Sequence, residues 1–588
     1  MLGDKNPQVL RMDGDMAERR IFIDVAYRDG AVIVLAGWST DPSVDVRLLG
    51  DGEALTLEQI KVSRPDVAEH FFLAETELGF VFVAKDSGEE VLSFSWVDGN
   101  RRTESEPLAL KFGSELDDGG FSSIRPGLSA ISRLLGVDSP QWQNYIDRMP
   151  SVVGGCPDAR GYLELASADN LSGEGVVIGW ATHAPGAVMW LENDLGNRVP
   201  LTKAFRRFRQ DVWDEVAKDL PSGNRDSGFI VRTRGFKKNE RIRLRSLSNH
   251  VVYTVAELYC GALPSDPISA ARWLFSIDAP LSDIHKRFAI VDGPVIGHLI
   301  EEKVASNNLA QVIERQLGTL IDNPKVSLII PLYGRWDFVE HQLIEFVKDD
   351  WLRRHAEIIY VIDDPRIYEE FRSAAERLYR LYQLPFKWVW GGMNRGFSGA
   401  NNLGVSVAAA DSFVFLNSDV FPSAPGWLEV LLGQLASDAQ IGAVAPRLVF
   451  ADGSIQHAGM QFLRREELGI WINHHPYMGL APKLDPYKVP TETAAITGAC
   501  LVVSRAHYEA IGGWDTGYLI GDFEDSDFCL RLRSIGLKVV YVPMVQMTHL
   551  ERQSFKLLGQ DDFRMKVVIF NAVRHQGLWE PIIETIAN

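Results

Sequence analysis

Cysteine is scarce in this chain. The four cysteines among 588 residues lie far apart and form no CxxC pair: Cys156, Cys260, Cys500 and Cys529. This spacing argues against a structural zinc site and against a scaffold held by disulfides. Because chains without a disulfide framework are typical of reducing compartments, we expect a cytoplasmic protein.

Long hydrophobic runs are also missing. A transmembrane helix needs about 18 consecutive apolar residues, and the sequence contains no such run. The first residues, Met1–Pro7, lack the basic and then apolar pattern of a signal peptide. We therefore expect a soluble protein that meets a membrane at most peripherally, at its inner face.

The C-terminal tail is the segment that keeps such peripheral contact open. From Ser554 onward, basic and apolar side chains alternate: Lys556, Phe563, Arg564, Lys566, Val567, Phe570 and Arg574. An amphipathic helix on a membrane surface has this pattern. Asp561 and Asp562 dilute its positive charge, so we favour a helix that packs on the preceding domain.

Positive charge is in short supply across the whole chain. The 60 Lys and Arg residues face 78 Asp and Glu residues, which gives a net charge of -18. A nucleic-acid partner is disfavoured, because no basic excess exists to neutralise its phosphates. The length and the 46% hydrophobic content predict three or four domains with well-buried cores.

One segment concentrates negative charge. Gly521–Arg533 carries Asp522, Glu524, Asp525 and Asp527 at what we predict to be the first turn of a helix. The pattern predicts a cap at Asp522, an end at Gly536 and an apolar face formed by three residues: Phe528, Leu532 and Ile535. Acidic residues favour helix N-termini through the macrodipole alone, so this segment does not establish a site by itself.

Upstream runs predict an α/β sheet. Val326–Tyr333 and Glu357–Asp364 are short apolar runs that end in polar residues, as parallel strands do, and Ser412–Leu416 predicts a third strand. Ligands of open α/β sheets bind beyond the carboxyl ends of the strands. Four polar side chains should therefore face one crevice: Asp363, Asp364, Asn417 and Asp419.

These motifs, taken in order, resemble those of the family 2 glycosyltransferases. They are Ile330-Pro-Leu-Tyr, Ile362-Asp-Asp, Asn394-Arg-Gly-Phe-Ser-Gly-Ala-Asn-Asn, Leu416-Asn-Ser-Asp, Thr497-Gly-Ala-Cys, Gly512-Gly-Trp-Asp, Phe523-Glu-Asp-Ser-Asp and Thr548-His. The resemblance covers roughly residues 323–555. It implies an inverting enzyme of the GT-A fold that uses a nucleotide-activated sugar.

The resemblance implies two catalytic carboxylates. Asp525 takes the role of the general base that removes the proton of the acceptor hydroxyl, and Glu524 orients the acceptor. Burial and neighbouring carboxylates raise the pKa of such a base toward the working pH. Asp527 is expected to form a structural ion pair with Arg531, four residues further along the helix.

A nucleotide site is implied as well. Asp363 and Asp364 resemble the carboxylates that read the nucleobase and the ribose. Arg395 is a candidate for contact with the base or a phosphate, with a solvated loop arginine as the alternative. Asn417 stands where the family often has the first aspartate of its metal motif, and we assign it to the nucleotide.

Asp419 and His549 resemble the family's metal ligands. Together they would hold a divalent cation, Mn²⁺ or Mg²⁺, against the negative charge of the diphosphate. Because Asn417 replaces a carboxylate, we expect a modest affinity for the metal. A histidine after a strand is also commonly structural, and this reading of His549 is the alternative.

The first part of the chain predicts short strands separated by Asp, Gly and Asn turns. An internal repeat is visible there: Gly37-Trp-Ser-Thr-Asp-Pro matches Gly179-Trp-Ala-Thr-His-Ala, Arg64-Pro-Asp-Val-Ala-Glu matches Arg209-Gln-Asp-Val-Trp-Asp, and Leu78-Gly-Phe-Val-Phe-Val matches Ser227-Gly-Phe-Ile-Val-Arg. We predict two related β-sandwich modules. Trp38 and Trp180 could stack on sugar rings, but we favour a core role for both.

The sequence predicts seven segments: a flexible N-terminus (1–17), a first β-sandwich module (18–112), a linker (113–150), a second β-sandwich module (151–263), a helical connector (264–322), a GT-A domain (323–553) and a helical tail (554–588). Within the connector, Ala270–Phe275 and Leu309–Arg315 are the candidate helices.

Two classes of function follow from these patterns. The first is a metal-dependent hexosyl- or deoxyhexosyltransferase that adds a sugar to a glycan or polysaccharide acceptor, as in polysaccharide biosynthesis. The second is a catalytically inactive carbohydrate-binding or scaffolding protein. The Glu524–Asp525 pair favours the enzyme, because a binding module needs no base, whereas Asn417 favours the alternative. A homo-oligomer is left open.

Overall fold

The computed structural model describes residues 8–11, 20–29, 32–41, 46–50, 53–55, 57–86, 88, 92–98, 101–104, 106–108, 110–112, 116–136, 139–550 and 561–587. The chain divides into two units, Met1–Leu263 and Pro264–Asn588. Of the N-terminus predicted to be flexible, Gln8–Arg11 forms a strand and the rest lies outside the described residues. No helix within the described ranges is long and apolar enough to cross a membrane.

The first domain of the N-terminal unit consists of two sheets. Its strands are β1 (Gln8–Arg11), β2 (Arg20–Asp29), β3 (Val32–Ser39), β4 (Val46–Gly50), β5 (Glu53–Ala54), β6 (Leu57–Val62), β7 (Gly79–Lys85), β8 (Leu92–Asp98), β9 (Arg101–Glu104) and β10 (Lys111–Phe112), and helix α1 is Pro65–His70. One sheet has the order β1-β2-β3-β7-β6, with β10 beside β2, and the other has the order β5-β4-β8-β9. Apolar side chains of both sheets, such as Ile33, Phe82 and Leu48, form one buried core.

The predicted linker forms helices that are part of the packing. These are α2 (Asp118–Ile124), α3 (Leu128–Leu135) and α4 (Pro140–Asp147). Ile131 and Trp142 are fully buried and join a core that contains Val34 of the first domain and Trp190 of the second. The segment is therefore a packed layer inside the N-terminal unit.

The second domain repeats the two-sheet plan. Its strands are β11 (Ser151–Val153), β12 (Ala159–Ala168), β13 (Glu174–His183), β14 (Val188–Glu192), β15 (Arg198–Pro200), β16 (Phe205–Arg207), β17 (Gly228–Arg234), β18 (Arg241–Ser248), β19 (Val251–Tyr259) and β20 (Gly261–Ala262), and helix α5 is Gln210–Val216. The sheet orders are β11-β19-β18-β14-β15 and β16-β17-β13-β12-β20. Leu163, Phe229 and Leu244 lie in the core between the sheets. The predicted pair of β-sandwich domains is confirmed.

The two domains share a β-bulge that holds an acidic residue, and the matched motifs contain only the arginine that pairs with it. The β2–β3 and β12–β13 pairs each contain a bulge, between Ile23 and Val25 in the first domain and between Leu163 and Leu165 in the second. The residue inside each bulge is acidic: Asp24 accepts a hydrogen bond from Arg64 at 3.0 Å, and Glu164 accepts one from Arg209 at 2.8 Å.

Each repeated tryptophan packs against the short helix of its own domain. Trp38 lies 4.0 Å from Phe22 between stacked ring centroids and contacts a cluster that includes Val67 of α1. Trp180 packs on Val212 and its neighbours in α5.

The C-terminal unit contains one large mixed sheet. Its strands are β21 (Ile313–Leu317), β22 (Val326–Leu332), β23 (Ala356–Ile362), β24 (Phe386–Trp390), β25 (Ser412–Leu416), β26 (Val420–Pro422), β27 (Ile441–Val449), β28 (Ile455–His457), β31 (Thr491–Glu492), β32 (Cys500–Ser504) and β33 (Lys538–His549), and β29 (Gln461–Arg465) forms a hairpin with β30 (Ile470–His474). The main order is β21-β24-β23-β22-β25-β32-β27-β33-β26. Strands β22 to β25 run parallel. The sequence predicted β22, β23 and β25, but not β24.

The helices of this unit are α6 (Pro267–Phe275), α7 (Leu281–Arg287), α8 (Gly293–Asn308), α9 (Phe338–Phe346), α10 (Asp350–His355), α11 (Tyr368–Tyr382), α12 (Gly396–Ser406), α13 (Trp427–Ala436), α14 (Arg505–Ala510), α15 (Glu524–Ser534) and α16 (Asp561–Ala587). Leu343 and Leu431 belong to the core on one face of the sheet, and Leu403 and Phe528 belong to the core on the other. The helices thus cover both faces, as expected for a sheet whose central strands are continuous apolar runs.

The predicted connector and tail pack together within this unit. Phe275 of α6 lies 5.6 Å from Phe570 of α16 between ring centroids, and its main-chain oxygen accepts a hydrogen bond from Lys566 at 2.9 Å. Between α7 and α8, Arg287 forms a buried ion pair with Asp292 at 2.8 Å. The segment from Pro267 to Asn308 is therefore part of the C-terminal fold.

Three local predictions were wrong. Leu309–Arg315 is not a helix, because α8 ends at Asn308 and Ile313–Leu317 pairs with β24 at the sheet edge. The cap of α15 is Phe523, with Asp522 one residue before it. Ile535 lies beyond the end of α15 and is 50% exposed, so it does not extend the helix's buried face.

Candidate functional site

A cavity of about 630 Å³ opens at the carboxyl ends of the parallel strands. Seven of the eight predicted site residues line it: Asp363, Arg395, Asn417, Asp419, Glu524, Asp525 and His549. The predicted convergence follows from strand register, since Leu332 of β22 lies opposite Ile362 of β23 and the polar residues begin directly after both strands.

Asp364 is not one of the described residues that line the cavity. Its carboxylate accepts hydrogen bonds from the Arg366 side chain at 2.6 Å and from the main-chain N–H of Gly334 at 3.0 Å. Burial would raise the pKa of Asp364, but these hydrogen bonds outweigh it and the pKa is lowered. Asp364 is therefore ionised and tied to its own loop.

Asp363 holds the glycine- and asparagine-rich loop in place. Its Oδ1 accepts the main-chain N–H of Arg395 at 2.6 Å, and its Oδ2 accepts from Asn394 Nδ2 at 3.2 Å. Burial raises the pKa of Asp363 well above its usual value, against the effect of these N–H donors. The carboxylate thus fixes the start of α12 at the cavity wall.

Arg395 extends from that loop to a neighbouring helix. Its Nη2 donates to the main-chain oxygen of Asn307 at 2.6 Å and to that of Gly391 at 3.0 Å. Burial lowers the pKa of Arg395, and Asp363 partly opposes this. The side chain is therefore anchored within the protein, unlike the solvated loop arginine considered as the alternative.

Asp419 and His549 meet at the end of the β26–β33 pair. Val420 lies opposite His549 in that antiparallel ladder, and the Asp419 Oδ1 is 3.3 Å from the His549 Nε2. The Nδ1–H of His549 donates to Gln456 Oε1 at 2.8 Å. The contact with Gln456 fixes the ring so that its Nε2 faces the Asp419 carboxylate. A metal-binding histidine is commonly oriented in this way by a hydrogen bond from its other ring nitrogen.

The pair does not form a complete metal site by itself. Within the described part of the chain, no group of three or more His, Cys, Asp or Glu side chains is arranged to hold a metal ion. Two protein ligands still suit Mg²⁺ or Mn²⁺ when phosphate oxygens and water supply the others. The donor set of Asp419 and His549 therefore fits a cation that binds together with a diphosphate.

Glu524 and Asp525 begin helix α15. Asp525 Oδ2 accepts the Gly498 N–H at 3.2 Å, and its Oδ1 accepts the Ser526 N–H at 2.8 Å. Glu524 Oε2 is buried and has no hydrogen-bond partner among the described residues. Burial raises the pKa of both carboxyls, and for Glu524 the neighbouring Asp525 raises it further.

Asp527 has the structural role that the sequence predicted. Its carboxylate forms an ion pair with Arg531 Nε at 2.8 Å. It also accepts a hydrogen bond from Trp579 Nε1 of α16 at 2.7 Å. Arg531 also donates to the main-chain oxygen of Gly513 at 2.6 Å. These contacts fix α15 against α16 and against the turn that follows α14.

Asp522 also lines the cavity, whereas the sequence predicts only a helix cap at this position. Burial, and then the charge of Asp525, raises its pKa to about 7, while Arg564 acts in the opposite direction. The loop around it is strained, since Ile520, Asp522 and Phe523 have φ values of 68°, 83° and 74°. Residues other than glycine rarely adopt these positive φ values, and such backbone strain is common at functional sites.

A single asparagine of α16 holds this strained loop. Asn571 Nδ2 donates to the main-chain oxygens of Leu519, Gly521 and Asp522 at 3.1, 2.8 and 3.2 Å. Its Oδ1 accepts the N–H of Leu519 at 3.0 Å, and the residue is fully buried. No local sequence pattern indicates this contact, because it joins residues about fifty positions apart.

Comparison with known proteins identifies the C-terminal unit's relatives. Residues 327–509 match the model described as glycosyl transferase family 2, and residues 479–553 match that of the N-terminal domain of galactosyltransferase. An O-antigen biosynthesis protein of Myxococcus xanthus, RfbC, is 28% identical over 39% of this chain and 18% of its own length. A decaprenol-linked N-acetylglucosamine L-rhamnosyltransferase of Mycobacterium tuberculosis is 28% identical over 29% of this chain and 57% of its own.

The chain therefore spans less than two thirds of the length of these relatives. Among solved structures, GalNAc-T7 with UDP, GalNAc and Mn²⁺ aligns with a TM-score of 0.32 at 17% identity, covering 40% of this chain and 45% of that one.

Proposed function

We propose that this chain, in which residues 327–509 belong to glycosyl transferase family 2, transfers a sugar from a nucleoside diphosphate sugar to a hydroxyl group of a glycan or polysaccharide. The domain has the GT-A type of α/β fold that the sequence motifs predicted. The transfer inverts the anomeric centre, and Asp525 is the general base.

One observation carries this proposal. Asp522, Glu524 and Asp525 line the same cavity as Asp419 and His549, and burial raises the pKa of all three carboxyls. A carboxylate whose pKa is raised toward neutrality accepts a proton more readily in the transition state. A protein that only binds sugars does not need partly buried carboxylates beside a place for a diphosphate.

The reaction assigns one task to each acid of the pair. The proton of the acceptor hydroxyl passes to Asp525, whose position is fixed by the N–H groups of Gly498 and Ser526. The acceptor oxygen bonds to the anomeric carbon on the face opposite the leaving group. The bond between that carbon and the diphosphate oxygen breaks, and the nucleoside diphosphate leaves. Glu524, whose Oε2 has no hydrogen-bond partner among the residues that the structure describes, accepts a hydrogen bond from the acceptor.

The donor nucleotide lies along the opposite wall. Asp363, Arg395 and Asn417 contact the nucleoside diphosphate. Asp364, the next residue after Asp363, is held by Arg366 and by the Gly334 N–H. A divalent cation, Mn²⁺ or Mg²⁺, held by Asp419 and His549, neutralises the charge of the diphosphate when it is bound.

The test is a pair of isosteric substitutions. Purified full-length chain is incubated with UDP-, dTDP- and GDP-sugars and Mn²⁺, and release of the nucleoside diphosphate is measured with and without a glycan acceptor. Asp525→Asn should lower the rate by about a hundredfold to ten-thousandfold while nucleotide binding persists. Glu509→Gln, at an exposed position of α14, is the control and should have no effect.

Glu524→Gln separates the two acids. If this variant lost turnover as completely as expected for Asp525→Asn, and Asp525→Asn remained active, Glu524 would be the base. If the wild type bound nucleotide but neither hydrolysed nor transferred any donor sugar, the chain would instead be an inactive carbohydrate-binding or scaffolding protein.

A further inference from the structure

The helices before the glycosyltransferase domain form a wall of its cavity. The segment predicted as a connector contributes apolar side chains, including Ile268, Ile300 and Val304, and the polar side chains of Lys303 and Asn307. None of these positions lies within residues 327–509, which match the family model. This wall therefore lies outside the part of the chain that the family model covers.

Asn307 joins this wall to the proposed nucleotide site. Its main-chain oxygen accepts a hydrogen bond from Arg395 Nη2 at 2.6 Å. The main-chain N–H of Arg395 in turn donates to Asp363 Oδ1 at 2.6 Å. A continuous chain of hydrogen bonds thus runs from the last turn of α8 to the carboxylate that follows β23.

The side-chain oxygen of Asn307, Oδ1, is buried and has no hydrogen-bond partner among the described residues. The residue is 4% exposed and lines the cavity. Buried polar atoms in native proteins are nearly always paired, and an exception needs an explanation. A ligand that donates an N–H to this oxygen would supply one.

We propose that Asn307 reads the nucleobase of the donor, so that α8 is a specificity element of the nucleotide site. This inference rests on the proposed function. The Oδ1 accepts the imino N–H of the base, which uracil, thymine and guanine carry on the ring. Cytosine and adenine have a lone pair at the corresponding ring nitrogen. This nitrogen and Asn307 Oδ1 would both be acceptors, so no hydrogen bond could form between them.

The test compares nucleotides that differ at this atom. Calorimetry with the full chain and Mn²⁺ measures the affinities for UDP and CDP, and for GDP and ADP. We expect the wild type to prefer UDP to CDP, or GDP to ADP. Asn307→Ala should weaken binding of the preferred nucleotide about tenfold, which is the usual effect of losing one such hydrogen bond, and bring the affinity ratio of the pair close to one.

Two further variants make the result specific. Asn308→Ala removes an exposed asparagine next in sequence and should leave both affinities unchanged. Asn307→Asp keeps an acceptor oxygen, so the preference for the base with the imino N–H should persist even if its charge weakens all nucleotides. Thermal unfolding without ligand should change little in Asn307→Ala, because the side-chain oxygen has no hydrogen bond to lose within the described part of the chain.

The outcomes are distinguishable from those of the proposed function. If the wild type bound none of the four nucleotides, the proposed function would fail and this inference with it. If the wild type bound a nucleotide and Asn307→Ala kept the same affinity ratio, only the inference would be overturned. An equal loss for both members of a pair would also overturn it, because the oxygen would then meet a group common to both, such as a sugar hydroxyl.

Discussion

Replacing Asp522 with asparagine should make the stability of the C-terminal unit depend less on pH. Burial and the charge of Asp525 raise the pKa of Asp522 to about 7, whereas an aspartate in an unfolded chain has a pKa of about 3.9. The folded state therefore keeps a proton that the unfolded state has released. The resulting stability is fully present below the unfolded pKa and is lost as the pH rises through 7.

The size of this stability change follows from the pH range between the folded and unfolded pKa values. Between pH 5 and pH 7, each pH unit removes about 1.4 kcal/mol from the free energy of unfolding, which gives a total of about 2.7 kcal/mol. Asp522→Asn has no proton to release. From pH 5 to pH 8 the wild type should lose about this much stability through Asp522, and the variant should not. The variant should therefore become more stable relative to the wild type as the pH rises.

Urea unfolding of the full chain at pH 5, 6, 7 and 8, followed by circular dichroism, measures the effect. The transition of the C-terminal unit is identified as the one that a nucleoside diphosphate with Mn²⁺ shifts, since a ligand of the folded state stabilises it. The measurements themselves are made without ligand. Glu509→Gln is the control and should follow the wild type. Parallel pH profiles for wild type and Asp522→Asn would refute the reasoning.

Three other predictions concern the loop, the metal and the repeats. Asn571→Ala removes the hydrogen bonds that hold the strained loop and should lower kcat about ten- to a hundredfold with little change in nucleotide affinity; an unchanged kcat would contradict this. Asp419→Ala and His549→Ala should each weaken Mn²⁺-dependent binding of nucleoside diphosphate, and the double variant should be no worse; calorimetry that shows full affinity would exclude the metal site. Gly37→Ala places a Cβ 2.1 Å from the Phe22 main-chain oxygen and should destabilise the first domain by about 1–3 kcal/mol in chemical denaturation; wild-type stability would mean that the strands can move apart freely.

The parts of the fold predicted best from the sequence were those governed by local pattern. Val326–Leu332 and Ala356–Ile362 are largely apolar runs followed by polar residues, and they form neighbouring parallel strands. The repeated Gly-Trp and Arg-x-Asp motifs correctly indicated two related β-sandwich domains. In each case, short-range periodicity and turn residues determine the element.

The missed features depend on distant contacts. Leu309–Arg315 was predicted to be helical, but Ile313–Leu317 is a strand because it pairs with β24 at the sheet edge. Asp522 was placed in a cap because its spacing fits one, whereas the actual loop is held by Asn571 from α16. Asn307 is an ordinary helical residue in the sequence, and only its distance to Arg395 reveals it. No pattern within a short window contains this information.

The scarce cysteines provide a means to observe the two units separately. Cys156 and Cys260 lie in the N-terminal unit, Cys500 and Cys529 lie in the C-terminal unit, and all four are buried as free thiols. Burial raises the pKa of Cys260 to about 11 and that of Cys529 to about 12. Since alkylation requires an accessible thiolate, each thiol reacts only after its surroundings open. A brief pulse of alkylating reagent, read by mass spectrometry, would then report how often each unit of the wild-type chain unfolds without any introduced label.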